Sequence, residues 1–501
     1  MTTSPLSTLP GVSTALLLLL LILVLKRTAP VWCSVPGTLG VNWGTCASQP
    51  LPPHKVVNLL KSNKIPRVKL PDANPDVLRA LSGSGISVTL GIPDDLLPTL
   101  NSSLKSAEGW VHDNLTRYVP GVKIQYVAVG NDPFLSINGD RFHPFVLGAA
   151  INIQAALVRS NLASRVKVVV PCSYDSFQTE SGLPSGGRFR LDINETVGRL
   201  LTFHSQHQSP LFASLSPFLS YHLGKNISLE LVLFKGDAHP LNDSGATYIN
   251  ALDLSYDTLV SALIHAGFPQ MEIVISQIGW PTDGAANATL LIAEDFMKGL
   301  VKHVGSNTGS PLRPKNPPVE TYVQSLLDED GRSVVLGNFE RHWGLFTFDG
   351  QAKYDVDLGM GSEKLVNAHD VEYLPAKWCV VNSDKDLSNA TTSAIGACSV
   401  ADCSVLSPGG SCYGISWPGN VSYAFNSYFQ QQDQRADSCY FGGLGLITKV
   451  DPSVGSCRFS VGLQTSSSTA TTTTSITPCL MLAVSCFLVR ILSFAIWKIS
   501  P

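Results

Sequence analysis

Six of the chain's 11 cysteines fall between Cys379 and Cys457. Thiols packed that densely supply a disulfide framework, and a reducing cytosol would leave them without purpose. Cys379, Cys398, Cys403, Cys412, Cys439 and Cys457 allow fifteen pairings, and spacing alone does not choose among them. Cys46 and Cys172 lie outside the cluster and read as buried, unreactive thiols. His204 and His207 have metal-like spacing, but without further ligands the expectation is a solvated helix face and no metal. Asn-X-Ser/Thr triplets begin at Asn101, Asn114, Asn194, Asn226, Asn242, Asn287, Asn389 and Asn420, acceptors for sugar in an exported chain.

The ends agree with export. An apolar run at 15–25 is too short for a bilayer of about 30 Å but suits a signal-peptide core, with cleavage expected within 31–34. An uncleaved anchor is the alternative, since Lys26 and Arg27 follow the run rather than precede it. At the other end a Ser/Thr tract at 465–477 precedes an apolar tail at 478–497. That order is the pattern of a GPI-attachment signal, with Ser466, Ser467 and Ser468 as candidate sites. Arg490 within the tail keeps a single membrane span open as the alternative. Either anchor places the folded part outside the cell. The resulting expectation is a surface protein lipid-anchored at the outer face of the plasma membrane, on the wall side.

These groups need elements to hold them. With 501 residues, 44% hydrophobic and 8% aromatic, the chain can bury a large core. A formal charge of −3 gives no basic field for a phosphate backbone, so nucleic acid is not an expected partner. No cofactor is expected. Short β-rich runs at 39–43, 67–70, 87–92, 124–129, 166–170, 211–215, 273–276 and 322–327 alternate with segments of helical period. Eight such units predict a closed (β/α)8 barrel of parallel strands with helical crossovers. Asn74-Pro75 supplies a helix cap and a first-turn proline. The expected divisions are a signal peptide at 1–34, the barrel at 35–372, a small disulfide-rich domain at 373–460, and the spacer and attachment signal at 461–501.

Four segments of the barrel carry a resemblance. They are Leu39-Gly40-Val41-Asn42-Trp43-Gly44, Val127-Ala128-Val129-Gly130-Asn131-Asp132, Ile278-Gly279-Trp280-Pro281-Thr282-Asp283-Gly284 and Glu340-Arg341-His342-Trp343-Gly344-Leu345-Phe346. In that order they resemble glycoside hydrolase family 17, the plant glucan endo-1,3-β-glucosidases. The cysteine domain is similar to carbohydrate-binding modules of family 43, which bind β-1,3-glucan. Its carriers are Trp378-Cys379, Asp402-Cys403, Pro408-Gly409-Gly410 with Cys412, Ser422-Tyr423-Ala424-Phe425-Asn426, Phe441-Gly442-Gly443, and Asp451-Pro452 with Cys457. That resemblance implies bridges Cys379–Cys439, Cys398–Cys403 and Cys412–Cys457. β-1,3-Glucan is the implied partner. Sugar contact is implied at Asn131, Trp43, Trp280, Tyr423 and Phe441, with Trp280 and Trp343 alternatively serving as structural walls.

Retaining glycosidases use two carboxyl groups about 5 Å apart, an acid for the leaving oxygen and a nucleophile for the anomeric carbon. The resemblance places the acid after strand four, at Asp132, and the nucleophile after strand seven, at Gln277. An amide has nearly a carboxylate's shape without its charge or nucleophilicity. Asp132 ends one carbon earlier than a glutamate, about 1.5 Å short. A neutral Gln277 also removes the repulsion that keeps such an acid protonated, so Asp132 is expected to ionise easily. Glu329 and Glu340 stand at the family's supporting acid positions. The family's Asn-X-Tyr-Pro-Phe reads Ser214-Leu215-Ser216-Pro217-Phe218 here. Two functions follow: a glucan-directed wall protein with weak or lost hydrolysis, or an active endo-1,3-β-glucanase.

Overall fold

β-Branched and apolar runs form the strands where the sequence pattern puts them. The computed structural model describes residues 39–464, apart from 225–226, 307, 316–318, 360 and 362–363. The signal-like run, the cleavage region, Asn226, the Ser/Thr tract with Ser466, Ser467 and Ser468, and the apolar tail lie outside the described residues. No helix among the described residues is long and apolar enough to cross a membrane.

The strands are β1 (Leu39–Asn42), β2 (Arg67–Leu70), β3 (Ser87–Ile92), β4 (Lys123–Val129), β5 (Lys167–Val169), β6 (Pro171–Cys172), β7 (Leu211–Ser214), β8 (Ile273–Ile278) and β9 (Thr321–Val323). They form one sheet in the order β5-β4-β3-β2-β1-β9-β8-β7-β6. The fifth strand is split at Val170. Its first half pairs with β4 and its second with β7, which closes the barrel. Pro171 has no N–H to give, so an unbroken ladder cannot pass through it.

Tyr126, Ala128, Val169, Phe212, Val274 and Tyr322 fill the barrel interior as one apolar cluster, so the barrel is a packed core with its chemistry confined to one end. Helices cover the outside. Pro53–Ser62 buries Val56, Val57, Leu59 and Leu60, each worth about 1.5–3 kcal/mol of transfer free energy. Asn74 caps Pro75–Leu81 by accepting from the backbone of Asp76 and Val77. In the helix Asn194–His207, His207 is exposed, but His204 is fully buried with Val197, Leu200, Leu201 and Phe203. The solvated-face expectation therefore fails at His204, which lies on the apolar face. Burial pulls its pKa down to about 4 and keeps it neutral.

The C-terminal domain pairs β10 (Trp378–Val381) antiparallel with β11 (Gly445–Thr448). Helices Ala390–Cys398 and Gly419–Gln431 pack a small core of Val381, Val421, Phe425, Phe429 and Leu444. Three disulfides reinforce it: Cys379–Cys439, Cys398–Cys403 and Cys412–Cys457. The first closes a 60-residue separation, a constraint on the unfolded chain of about 4 kcal/mol. Cys172 is a free, buried thiol whose pKa burial raises to about 12. Cys46 departs from expectation, because it is disulfide-bonded. A disulfide needs one partner thiol within reach, which the local sequence around Cys46 does not reveal.

Candidate active site

The site lies where the strands end. After β4, Gly130 turns at φ +87°, and a Cβ there would come within 2.7 Å of Asp94 Oδ1. That oxygen instead accepts from the Asn131 backbone N–H at 2.9 Å, pinning the loop that carries Asp132. Asn131 Nδ2 donates to the Pro71 carbonyl at 3.1 Å, and its Oδ1 is buried without a protein partner. Burial raises the pKa of Asp132 to about 7. Asp94 and Asp175 push the same way, while Lys69 and Arg332 partly oppose them. Easy ionisation, expected from the neutral Gln277, is thus overturned: desolvation, helped by Asp94 and Asp175, outweighs the missing repulsion.

Lys69 itself is buried, 4% exposed, on β2. Desolvation lowers its pKa, and the negative charges of Asp132 and Asp94 resist that shift. Burial likewise raises Asp94 to about 6, against the backbone N–H groups of Asn131 and Asp132. Asp132 and Asp94 are therefore two carboxyls of elevated pKa that interact with the buried Lys69.

At the other catalytic position, β8 slips register against β7 between Ile275 and Gln277, and against β9 between Ile275 and Ile278. A bulge of this kind re-aims side chains that strict alternation would send apart. Here it sets Ser276 and Gln277 beside the same group: Ser214 Oγ is 3.3 Å from Ser276 Oγ and donates to Gln277 Oε1 at 3.3 Å. Ser216 caps the helix Pro217–His222 by accepting from Leu219 N–H.

Glu329 and Glu340, 4% and 7% exposed, are joined by Arg332. Arg332 Nη1 lies 3.4 Å from Glu329 Oε2, and Nη2 lies 3.1 Å from Glu340 Oε2. Glu329 Oε1 also accepts from the Cys46 backbone N–H at 2.8 Å. A Cβ at position 44 would sit 2.1 Å from Glu329 Oε1, so any residue but glycine there must displace the carboxylate. These bonds commit both carboxylates to a buried ion-pair group.

The aromatic candidates separate by burial. Trp43 and Trp280 are 4% and 1% exposed. Trp280 packs edge-on against Phe218 and donates Nε1–H to the Asn287 carbonyl. Trp343 is buried with Phe218 and Phe339. These indoles are walls of the core and present no open face to sugar. In the C-terminal domain Phe441 stacks on Phe425 at 3.8 Å between centroids. Tyr423 packs edge-on against Phe459, and burial together with Asp402 and Asp283 raises its pKa. The open aromatic surface belongs to Tyr413, Trp417 and Tyr440, 58%, 48% and 66% exposed.

Sequence reasoning passed over Lys69, Asp94, Arg332 and these three exposed aromatics. A lysine inside a strand of a parallel barrel was the one available signal, since such strands are otherwise apolar. Among the described residues no group of three His, Cys, Asp or Glu is arranged to hold a metal ion.

Both parts of the chain match known families. The profile of glycosyl hydrolases family 17 matches residues 39–358, and that of the X8 domain matches residues 377–446. Glucan endo-1,3-beta-glucosidase 9 of Arabidopsis thaliana is 60% identical over 460 residues, covering 90% of this chain and 95% of that protein. Glucan endo-1,3-beta-glucosidase 5 of the same plant is 44% identical, covering 84% of this chain and 88% of that protein. Among solved structures, a beta-1,3-glucanase and allergen of Cryptomeria japonica pollen superposes with a TM-score of 0.62 at 35% identity. That match covers 64% of this chain and 99% of the allergen.

Proposed function

Because the chain belongs to glycosyl hydrolases family 17 and carries an X8 domain, we propose that it is a β-1,3-glucan-directed cell-surface protein whose hydrolytic step is weak or lost. One observation carries the reading. The bulged end of β8 offers an uncharged amide, Gln277, held by Ser214, where the family resemblance calls for a nucleophilic carboxylate. An amide in that place retains shape for binding and has no oxygen able to form a glycosyl ester.

The alternative, an active endo-1,3-β-glucanase, draws support from Asp132. Burial keeps that acid protonated up to about pH 7, the state a proton donor needs. An acid without a nucleophile still leaves the anomeric carbon unattacked, and Arg332 holds Glu329 and Glu340 in ion pairs. Binding is therefore the function we favour, with the exposed aromatics of the X8 domain as a second glucan contact. Reducing-sugar release from linear β-1,3-glucan by the purified native chain tests the choice.

Anchoring completes the proposal. The Ser/Thr tract and apolar tail fit a GPI signal at the outer face of the plasma membrane. Release from membranes by a phosphatidylinositol-specific phospholipase is the expected result. An intact apolar tail in the mature protein, seen by mass spectrometry, would point to a spanning helix instead.

A further inference from the structure

The X8 domain is bonded to the loops that carry the cleft. Arg341 Nη1 donates to Asp402 Oδ1 at 2.8 Å, and His342 Nε2 lies 2.7 Å from Ser404 Oγ. Ser411 N–H donates to Asp283 Oδ1 at 2.8 Å. Close approach is built in: Gly409, at φ +84°, lies so near the Ala285–Ala286 backbone that a Cβ would come within 2.4 Å of it. Arg341 directly follows Glu340, and Asp283 lies three residues beyond Trp280.

The bonds continue inward. Arg341 Nε donates to the Arg332 carbonyl at 3.0 Å, and the Arg341 carbonyl accepts from Glu329 N–H at 3.3 Å. Arg332 is the cation between Glu329 and Glu340. A short chain of hydrogen bonds thus runs from a carboxylate of the X8 domain to the carboxylate pair of the barrel. Burial would raise the pKa of Asp402, yet Arg341, His342 and the Ser404 donors hold it below the ordinary value. It stays an anion, so its bond to Arg341 is charge-assisted.

We propose that Asp402 is a positioning residue for the barrel's cleft, fixing Arg341 and through it the Glu329–Arg332–Glu340 group, so that barrel and X8 domain act as one glucan-binding unit. The ligand rests on the function proposed above; the positioning role does not. Loss of the Asp402 carboxylate frees the 329–345 segment and weakens the barrel's hold on glucan. By linkage, glucan in the cleft tightens the docking of the X8 domain in return.

The test is hydrogen exchange on the full chain, native and with Asp402→Ala or Asp402→Asn, with and without a soluble β-1,3-linked glucohexaose. The alanine variant should speed exchange across 329–345 by about tenfold, while the helix Gly419–Gln431 keeps its protection. The asparagine variant keeps an acceptor for Arg341 but no charge, so its effect should be smaller, roughly threefold. Hexaose should slow exchange across 329–345 in the native chain, and the alanine variant should need about ten times more of it. If neither variant changes exchange across 329–345, the proposal is overturned. Should alanine unfold the X8 domain, the asparagine variant decides by the same criterion. Faster exchange in the variants with no hexaose effect on the native chain would sustain the positioning role and remove glucan as the ligand.

Discussion

Ser214 Oγ donates a hydrogen bond to Gln277 Oε1 across 3.3 Å. The bond joins the ends of β7 and β8, and it does not need the amide, since a carboxylate oxygen accepts from the same hydroxyl. Gln277→Glu should therefore fold as the native chain does, with a stability change within about 1 kcal/mol. Thermal unfolding checks this, and a collapse of the transition would mean the site can no longer accept a charge.

Asp132 gives a pH signature. Its pKa rises from 3.8 unfolded to about 7 folded, so its contribution to stability is fully present below pH 3.8 and is lost as pH rises through about 7. Asp94, raised to about 6, acts in the same sense, so comparison with a variant isolates Asp132. The native chain should lose stability relative to Asp132→Asn between pH 4 and 7, then run parallel to it above pH 8. Melting temperatures of both proteins across that range provide the measurement. A constant difference would show that burial does not hold the proton on Asp132.

Gly44 faces Glu329 with no room for a methyl group. Gly44→Ala should cost about 1–3 kcal/mol by overpacking. It should also weaken glucan binding, because the carboxylate that moves is tied to Arg332. Denaturant midpoints and oligosaccharide titration would both register the change.

Trp417 is half exposed on a domain whose other large rings are mostly packed inside. Trp417→Ala should reduce retention of the full chain on insoluble β-1,3-glucan by roughly five- to tenfold, the order expected for one lost aromatic platform. Unchanged retention in a pull-down would move the sugar contact to Tyr413 or Tyr440.

The sequence revealed the strands because each is a short β-rich run between breakers, and their observed bounds lie within two residues of the pattern except at the last strand, which ends at Val323, four residues early. What it hid was non-local. Nothing in the composition around Ile275 announces the bulge that turns Gln277 toward Ser214. His204 looked like half of a polar pair because spacing alone does not say which helix face is covered. The state of Asp132 is hidden for a similar reason: the missing charge at position 277 is legible, whereas the desolvation that dominates the Asp132 pKa depends on packing around it from distant segments. The Arg341–Asp402 pair spans 61 residues and two domains, and no local pattern encodes such a contact.

Reducing-sugar release from a linear β-1,3-glucan shows whether the barrel catalyses. The native chain should remain at background. Gln277→Glu alone should raise the rate by roughly a hundredfold or more, since it supplies the attacking group beside an acid already held protonated. Asp132→Glu alone should return almost nothing, because a better-placed proton does not attack the anomeric carbon, and the double variant should be fastest. Robust hydrolysis by the unmodified chain, free of contaminating glucanase, would mean that the barrel attacks the anomeric carbon without Gln277 and make Glu329 and Glu340 the first candidate nucleophiles.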